Sequence, residues 1–271
     1  MKNILEKIVE KKREEIARQK EATSDKHLIM MIEDKPCVSF KKALCKSDTG
    51  IIAEFKRRSP SKGWIFEEAR ADVIVPDYEA KGATAVSVLT DQSFFGGSLN
   101  DLKTVRSMVG LPLLRKDFII DEYQLLQAKA FGADVVLLIA SALTVAQTKE
   151  LATAAKSLGL EVLLEIHTES ELEYLMDEVD VVGINNRNLS TFVTDVQTSF
   201  ALGALIPGNF VKISESGISD PKVVMQLREA GFNGFLMGEN FMKTDHSGKA
   251  LGEFIYQLRV EKEGLGRGFE R

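Results

Sequence analysis

Cysteine is scarce in this chain: Cys37 and Cys45 are the two thiols in 271 residues. Two thiols cannot form the disulfide framework of a small secreted domain, and their spacing fits no CxxC pattern. Basic residues are outnumbered, 35 Lys+Arg against 40 Asp+Glu, for a net charge of -5. That balance argues against general nucleic-acid binding, which needs a basic face. No run approaches the roughly 18 uninterrupted apolar residues of a membrane span. The opening MKNILEKIVEKKREEIARQK is charged throughout and lacks the apolar core of a signal peptide. A cytoplasmic location is expected. Histidine occurs three times, at His27, His167 and His246, too far apart for metal-ligand spacing. All three are expected on the surface or as caps, and no metal site is expected. No Walker-type loop or GxGxxG is present, so cofactor binding is not expected either.

What is present suits a globular protein: 44% hydrophobic and 28% charged residues. One (β/α)₈ barrel needs about 250 residues and would nearly fill the chain. Ile4, Leu5, Ile8, Val9 and Ile16 recur at helical spacing, which predicts an amphipathic helix lying on something else. The charge run KKREE at 11–15 is read as its solvated face.

From residue 51 short aliphatic runs recur: IIAEF (51–55), TAVSVLT (84–90), PLLRKDF (112–118), DVVLLIA (134–140), EVLLEI (161–166), DVVGIN (180–185), FVKISES (210–216) and GFLMG (234–238). Longer segments of helical period separate them, among them 121–132, 144–159 and 220–232, with Gly132, Gly159 and Gly231 at their ends as expected of C-caps. Alternating β and α units demand a parallel sheet. Eight units with a last helix near 247–260 predict an α/β fold, a (β/α)₈ TIM barrel (51–271) preceded by an N-terminal helical extension (1–50) packed on it. With only EKEGLGRGFER after the last unit, no second enzyme domain is expected.

Polar residues fall where such a barrel keeps its active site, at the C-terminal ends of the strands. Glu54 and Lys56 end the first run, Lys116 the third, Glu165 the fifth, Asn185 and Arg187 the sixth, Glu215 the seventh and Gly238 the eighth. Strand alternation puts Ile52, Glu54 and Lys56 on one face, Leu163 with Glu165, and Val211 with Ile213 and Glu215. The charges therefore point into the barrel mouth. Some, such as Glu215, would serve equally well by holding a lysine. SESGI (214–218) and LMGEN (236–240) follow the last two strands, where barrels often bind phosphate on backbone N–H groups. Gly217 and Gly238 would let that backbone approach closely.

These residues resemble the indole-3-glycerol phosphate synthase family of tryptophan biosynthesis. The resemblance is carried by IIAEFKRRSPSKGWI (51–65), SVLTDQSFFGGS (87–98), LLRKDFIIDEYQ (113–124), VLLEIHTESEL (162–172), GINNRNLSTF (183–192) and SESGI, and by ILEKIVEKKREEI and SFKKAL before the barrel. It covers essentially the whole chain. Phe55 and Glu239 depart from the usual residues, which matters little if Phe55 faces a helix and position 239 supplies a backbone N–H.

The resemblance implies a carboxy-lyase that converts 1-(2-carboxyphenylamino)-1-deoxyribulose 5-phosphate into indole-3-glycerol phosphate, CO₂ and water. It implies Lys116 as the acid that protonates the sugar carbonyl, Glu165 as the base of the dehydration, and Lys56 as its acid partner and an anion contact. Glu54 and Asn185 would orient substrate and lysines, and Ser59 and Arg187 would lie near the anthranilate carboxylate. Glu215 is counted among the substrate contacts, Ser216, Gly217 and Gly238 would hold the phosphate, and Phe95 and Phe118 would wall the aromatic ring. No cofactor is implied. The expected partner is a small phosphorylated substrate, with no nucleic acid or membrane. The chain is expected to act as a monomer, with room for association with other enzymes of the pathway.

Two expectations about charge follow. A lysine acid works best with its pKa lowered toward about 7–8, which burial and the neighbouring Lys56 would provide. Glu165, in an apolar strand, should have a raised pKa and be a competent base. Two rivals are weaker. Phosphoribosylanthranilate isomerase, another phosphate-binding barrel, would be expected to use a Cys and an Asp, and no Cys stands at a strand end here. A non-catalytic phosphometabolite binder would not need the inward Lys and Glu.

Overall fold

The computed structural model describes residues 3–188 and 191–268, with side chains described up to residue 263. Leu189 and Ser190 of GINNRNLSTF lie outside the described residues, as do the last three of the tail. Eight parallel strands close into a barrel: β1 (Ile51–Phe55), β2 (Ala85–Leu89), β3 (Leu113–Lys116), β4 (Val135–Ile139), β5 (Glu161–Ile166), β6 (Val181–Asn185), β7 (Val211–Glu215) and β8 (Gly234–Met237). Each lies inside one of the eight aliphatic runs. The strands are buried on both faces, which is why they read as nearly continuous apolar runs.

The expected alternation is observed. Ile52, Leu114, Leu137, Leu163, Ile213 and Leu236 pack together inside the barrel. Ile51, Ala53, Phe55, Val162, Leu164 and Ile166 face the surrounding helices. Register then sets the height of the site: Leu89 pairs with Lys116, Ile139 with Glu165, Asn185 with Glu215 and Glu215 with Leu236. Lys116, Glu165, Asn185 and Glu215 in these pairs form a polar, largely charged layer on top of an apolar one.

The crossovers are the helices expected at Glu122–Ala130, Val145–Ser157 and Pro221–Glu229. Gly132, Gly159 and Gly231 follow them at positive φ, the left-handed stop that glycine adopts without steric cost. Between β5 and β6 the crossover is instead a 3₁₀ turn, Glu169–Tyr174.

The leading segment folds into helices α1 (Ile4–Ala22), α2 (Asp25–Met31) and α3 (Phe40–Lys46), which reach both ends of the barrel. Helix α3 (Phe40–Lys46) inserts Phe40 and Leu44 into the apolar interior, so it plugs the N-terminal end. Ser39 and the backbone N–H of Lys41 donate to the Glu161 carboxylate at the start of β5. Helix α1 (Ile4–Ala22) begins with a capping box between Asn3 and Glu6 and lies across the opposite, open end. Its buried stripe is Leu5, Ile8, Lys12 and Ile16.

Lys12 corrects the reading of KKREE as a solvated face. Its side chain is 1% exposed and its ammonium lies 2.8 Å from Asp91, 2.9 Å from Asp117 and 3.0 Å from Glu15. Arg115, also buried, holds Asp117 at 3.0 Å from the other side. A buried cation on an apolar stripe is stable only with such partners.

Candidate active site

One cavity of about 620 Å³ opens at the C-terminal ends of the strands, and all thirteen expected site residues line it. At its centre the Lys116 ammonium donates to Glu215 Oε2 at 2.5 Å and to Glu165 Oε2 at 3.3 Å. Glu165 Oε1 accepts from the Asn185 amide at 3.1 Å, and the Asn185 carbonyl oxygen accepts from the backbone N–H of Arg187 at 3.0 Å. Lys56 donates to Glu54 at 2.5 Å. Lys56, Lys116, Glu54, Glu165 and Glu215 thus bring two ammonium groups and three carboxylates together in one low-dielectric layer.

Their charges depart from the expectations in direction. Burial disfavours the Lys116 ammonium, but the carboxylates of Glu215, Glu165 and Glu54 outweigh it and raise its pKa. Lys116 is therefore held charged, not poised near neutrality. Burial likewise raises Glu165, but Lys116, then His167, and the hydrogen bond from Asn185 outweigh it, so its pKa is lowered. Glu165 is an ionised carboxylate at rest. Glu215 goes the other way: burial and the nearby Glu165 prevail over Lys116, and its carboxyl is pushed up to about 7. Its Oε1 is buried against Gly183, where a Cβ would overlap it, and finds no hydrogen-bond partner among the described residues.

The walls are aromatic and aliphatic. The rings of Phe95 and Phe118 lie 6.0 Å apart, facing Leu137, Ile139 and Leu236 from the strands. Asp91 accepts from the backbone N–H of Phe94, and Asp117 from that of Phe118. Two of the carboxylates that bind Lys12 thus also hold the backbone of the wall residue Phe118 and of Phe94, the neighbour of Phe95. Ile4, Leu5 and Ile8 of α1 complete the lining. The sequence reading missed them, although they sit on the same stripe as Lys12.

After β1 a two-stranded ribbon, Arg58–Ser59 with Gly63–Trp64, folds over the mouth. Arg57 anchors it, with hydrogen bonds to Asp101 at 2.5 and 3.0 Å and to the carbonyl of Ala69. Buried Ser59 and the Ser61–Arg187 hydrogen bond of 3.0 Å come from this ribbon.

The loops after β7 and β8 face the same cavity. Ser216 and Gly217 both have positive φ, 69° and 74°. At Gly217 a Cβ would also strike the Thr194 methyl. Gly238 has φ -125°, and a Cβ there would collide with Glu54. The absence of a side chain there leaves room for the Glu54 carboxylate. Lys62 and Lys243, not singled out from the sequence, also line this cavity. Glu239 contributes more than a backbone group: its carboxylate lies 3.7 Å from Lys62 and 3.8 Å from Arg187.

Two of the three histidines are exposed, as expected. His167 is not: its side chain is 10% exposed and Nε2 lies 3.3 Å from Glu165 Oε1. Both cysteines are free and lie outside the cavity lining.

Comparison with known proteins agrees with this arrangement. The family model described as "Indole-3-glycerol phosphate synthase" matches residues 5–254. A protein of that name from Bacteroides thetaiotaomicron is 58% identical over 260 residues, spanning 96% of this chain and 100% of the relative. One from Magnetococcus marinus is 41% identical over 262 residues, spanning 93% and 98%. Among solved structures, tryptophan synthase subunit alpha from Legionella pneumophila superposes with TM-score 0.59 at 14% identity, covering 81% of this chain and 96% of that one. At that identity the likeness speaks for the barrel alone. The full-length match, together with a lysine–glutamate centre built from the strand ends that carry the motifs, decides the family: the chain belongs to the indole-3-glycerol phosphate synthases.

Proposed function

We propose that the chain carries out the reaction of its family, closing the ring of 1-(2-carboxyphenylamino)-1-deoxyribulose 5-phosphate, with loss of CO₂ and then water. The observation that supports this most is the single cavity lined by all thirteen residues, with Lys116 between Glu165 and Glu215.

Ring closure puts alkoxide character on the former carbonyl oxygen. A charged Lys116 in a shielded site stabilises that charge and gives up its proton to it. Its raised pKa is no obstacle, because the alkoxide is itself a strong base. The cyclised, iminium-like intermediate accepts the electron pair released with CO₂, so no external electron sink is needed. Lys56 then protonates the departing hydroxyl, and Glu165 takes the proton that restores aromaticity.

The two steps are coupled. While Lys116 is charged, it holds the Glu165 carboxyl down. Once Lys116 has released its proton, that charge is gone and burial raises the proton affinity of Glu165. The acid step therefore prepares the base for the second. Phe95 and Phe118 stack on the aromatic ring, Ser59 and Arg187 meet its carboxylate, and Ser216, Gly217 and Gly238 receive the phosphate. Glu54, Asn185 and Glu215 hold the lysines and Glu165 in place. The protein acts in the cytoplasm as a single chain.

Indole fluorescence with purified protein and substrate, without added metal or cofactor, tests the activity. Lys116→Ala should lower kcat by about 10²–10⁴-fold, the range of general acid–base groups, with little change in substrate binding. A near-normal kcat would refute the role of Lys116. In Glu165→Gln, single-turnover CO₂ release should run ahead of indole formation. Equal slowing of both would place Glu165 in an earlier step.

A further inference from the structure

The site has a second side. Another cavity of about 620 Å³ lies beside the ends of β5 and β6, lined by His167, Glu171, Asn185, Arg187 and Asp195 among others. Glu165 lines the main cavity and His167 lines this one. The two side chains touch at 3.3 Å, Nε2 to Oε1. Both ring nitrogens of His167 are buried and without a hydrogen-bond partner among the described residues.

The groups around this contact are few. Glu171, from the 3₁₀ turn after β5, lies 3.8 Å from Nδ1 and accepts from the backbone N–H groups of His167 and Thr168. Arg187 and Asp195 face His167 across the cavity from the segment after β6. On the other side Glu165 meets Lys116 from β3 through Oε2 and Asn185 from β6 through Oε1. His167, Glu165 and Lys116 thus form a line of titratable groups from the second cavity into the first.

The stoichiometry of the proposed reaction gives such a line something to supply. Substrate enters as a carboxylate and the carboxylate leaves as neutral CO₂, so each turnover consumes one proton. In the steps above Lys116 and Lys56 each give one proton and Glu165 gains one. Returning the Glu165 proton to a lysine still leaves one to be supplied, while product fills the main cavity.

We propose that His167 is a proton port that recharges Lys116 through Glu165 from solvent in the second cavity. A proton from water in the second cavity, handed on by the Glu171 carboxylate beside the buried Nδ1, binds Nδ1 as the Nε2–H bond breaks and its proton passes to Glu165 Oε1. The proton on Oε2 moves to the neutral Lys116 amine. The proton left on Oε1 passes to the neutral Lys56 through the water released in dehydration, so both lysines are charged and Glu165 is again a carboxylate. A ring flip of the neutral imidazole restores its Nε2–H toward Glu165. His167 acts after the chemistry, through Glu165, and touches no substrate. The inference rests on the reading of Lys116 as acid and Glu165 as base.

That timing gives the test. In His167→Asn the first turnover, made by enzyme whose lysines are already charged, should proceed at the parent rate. Later turnovers should slow by on the order of 10²-fold, the lower end for a lost proton-transfer group. Stopped-flow indole fluorescence with substrate in excess should then show a burst equal to the enzyme concentration. Added imidazole should raise the slow phase, and lower pH should raise it further. His167→Gln, checked for folding by circular dichroism, should behave alike. An unchanged steady-state rate, or equal slowing of first and later turnovers in both variants, would overturn the port. Glu165→Gln separates the two readings: if its first turnover keeps the parent rate, the base assignment itself fails.

Discussion

Replacing Lys12 by Met tests whether the buried ion cluster holds α1 on the barrel. Methionine matches the length of the lysine stem and suits the apolar stripe of Leu5, Ile8 and Ile16. What it removes is the cation shared by Asp91 and Asp117 at 2.8 and 2.9 Å, both 1% exposed. Removing one partner of a buried ion pair costs about 3–5 kcal/mol, because the remaining charge is left uncompensated. Here Asp117 keeps Arg115 and a hydrogen bond from Thr90, and each aspartate keeps a backbone N–H donor. The lower end, about 3 kcal/mol, is therefore expected. For a large domain that is a fall in Tm of about 6 °C, at roughly 2 °C per kcal/mol. The same variant should raise KM more than it lowers kcat, since Asp117 and Asp91 hold the backbone of Phe118 and of Phe94 beside Phe95, while Lys116 keeps its own carboxylates. Thermal unfolding by circular dichroism and steady-state indole formation measure both effects. In the Lys12→Met background, Asp91→Asn should recover part of the stability, because the amide oxygen still accepts from Phe94 without carrying charge. A Tm within about 1 °C of the parent and an unchanged KM would refute the reasoning.

Gly238→Ala should lower kcat by about 10²-fold, the cost of displacing catalytic groups by about an ångström, because the new Cβ meets Glu54 and disturbs its pair with Lys56. A rise in KM alone, with kcat intact, would show that Gly238 serves the phosphate and not the Glu54–Lys56 pair. Acid should unfold the protein partly through Asp117. Burial pushes its carboxyl up, but Lys12 and Arg115 prevail and hold it well below the usual carboxylate range. A lowered folded pKa stabilises above the unfolded value of about 3.9, and that stability is lost as pH falls below it. Urea midpoints measured from pH 6 down to pH 3 should therefore drop less steeply in Lys12→Met than in the parent.

Much of the fold was legible because parallel strands buried on both faces must be apolar throughout. Their few polar residues then stand out at the strand ends. Glu54, Lys116, Glu165, Asn185 and Glu215 were found that way, and each lines the cavity. The directions of their pKa shifts were not legible. They depend on what lies across the barrel, and Lys116 is separated from Glu165 by 49 residues and from Glu215 by 99. A strand read alone shows burial without the opposing charge. Lys12 was misread for a related reason. It sits four residues after Ile8 and four before Ile16, so helical spacing already placed it on the buried stripe. Its charge was taken to decide the matter, while its partners Asp91 and Asp117 lie far along the chain. At Gly238 the sequence showed a glycine beside a strand end, but the nearness of Glu54 is a feature only coordinates reveal.

The plug formed by α3 bears on the order of folding. Phe40 and Leu44 precede every strand in the chain yet sit beneath the finished barrel. The carboxylate that accepts from Ser39 belongs to Glu161, 122 residues further on, and Gly234, against which Leu44 packs, begins the last strand. Closing loops of that length costs entropy before any contact repays it, so seating the plug belongs to the slow, late part of folding. Until then two large apolar side chains have no permanent home, and a partly built sheet has open edges beside them. Partly folded chains in that state are prone to associate. The short α3 helix is thus one of the earliest pieces of the chain to be made and one of the last to be satisfied.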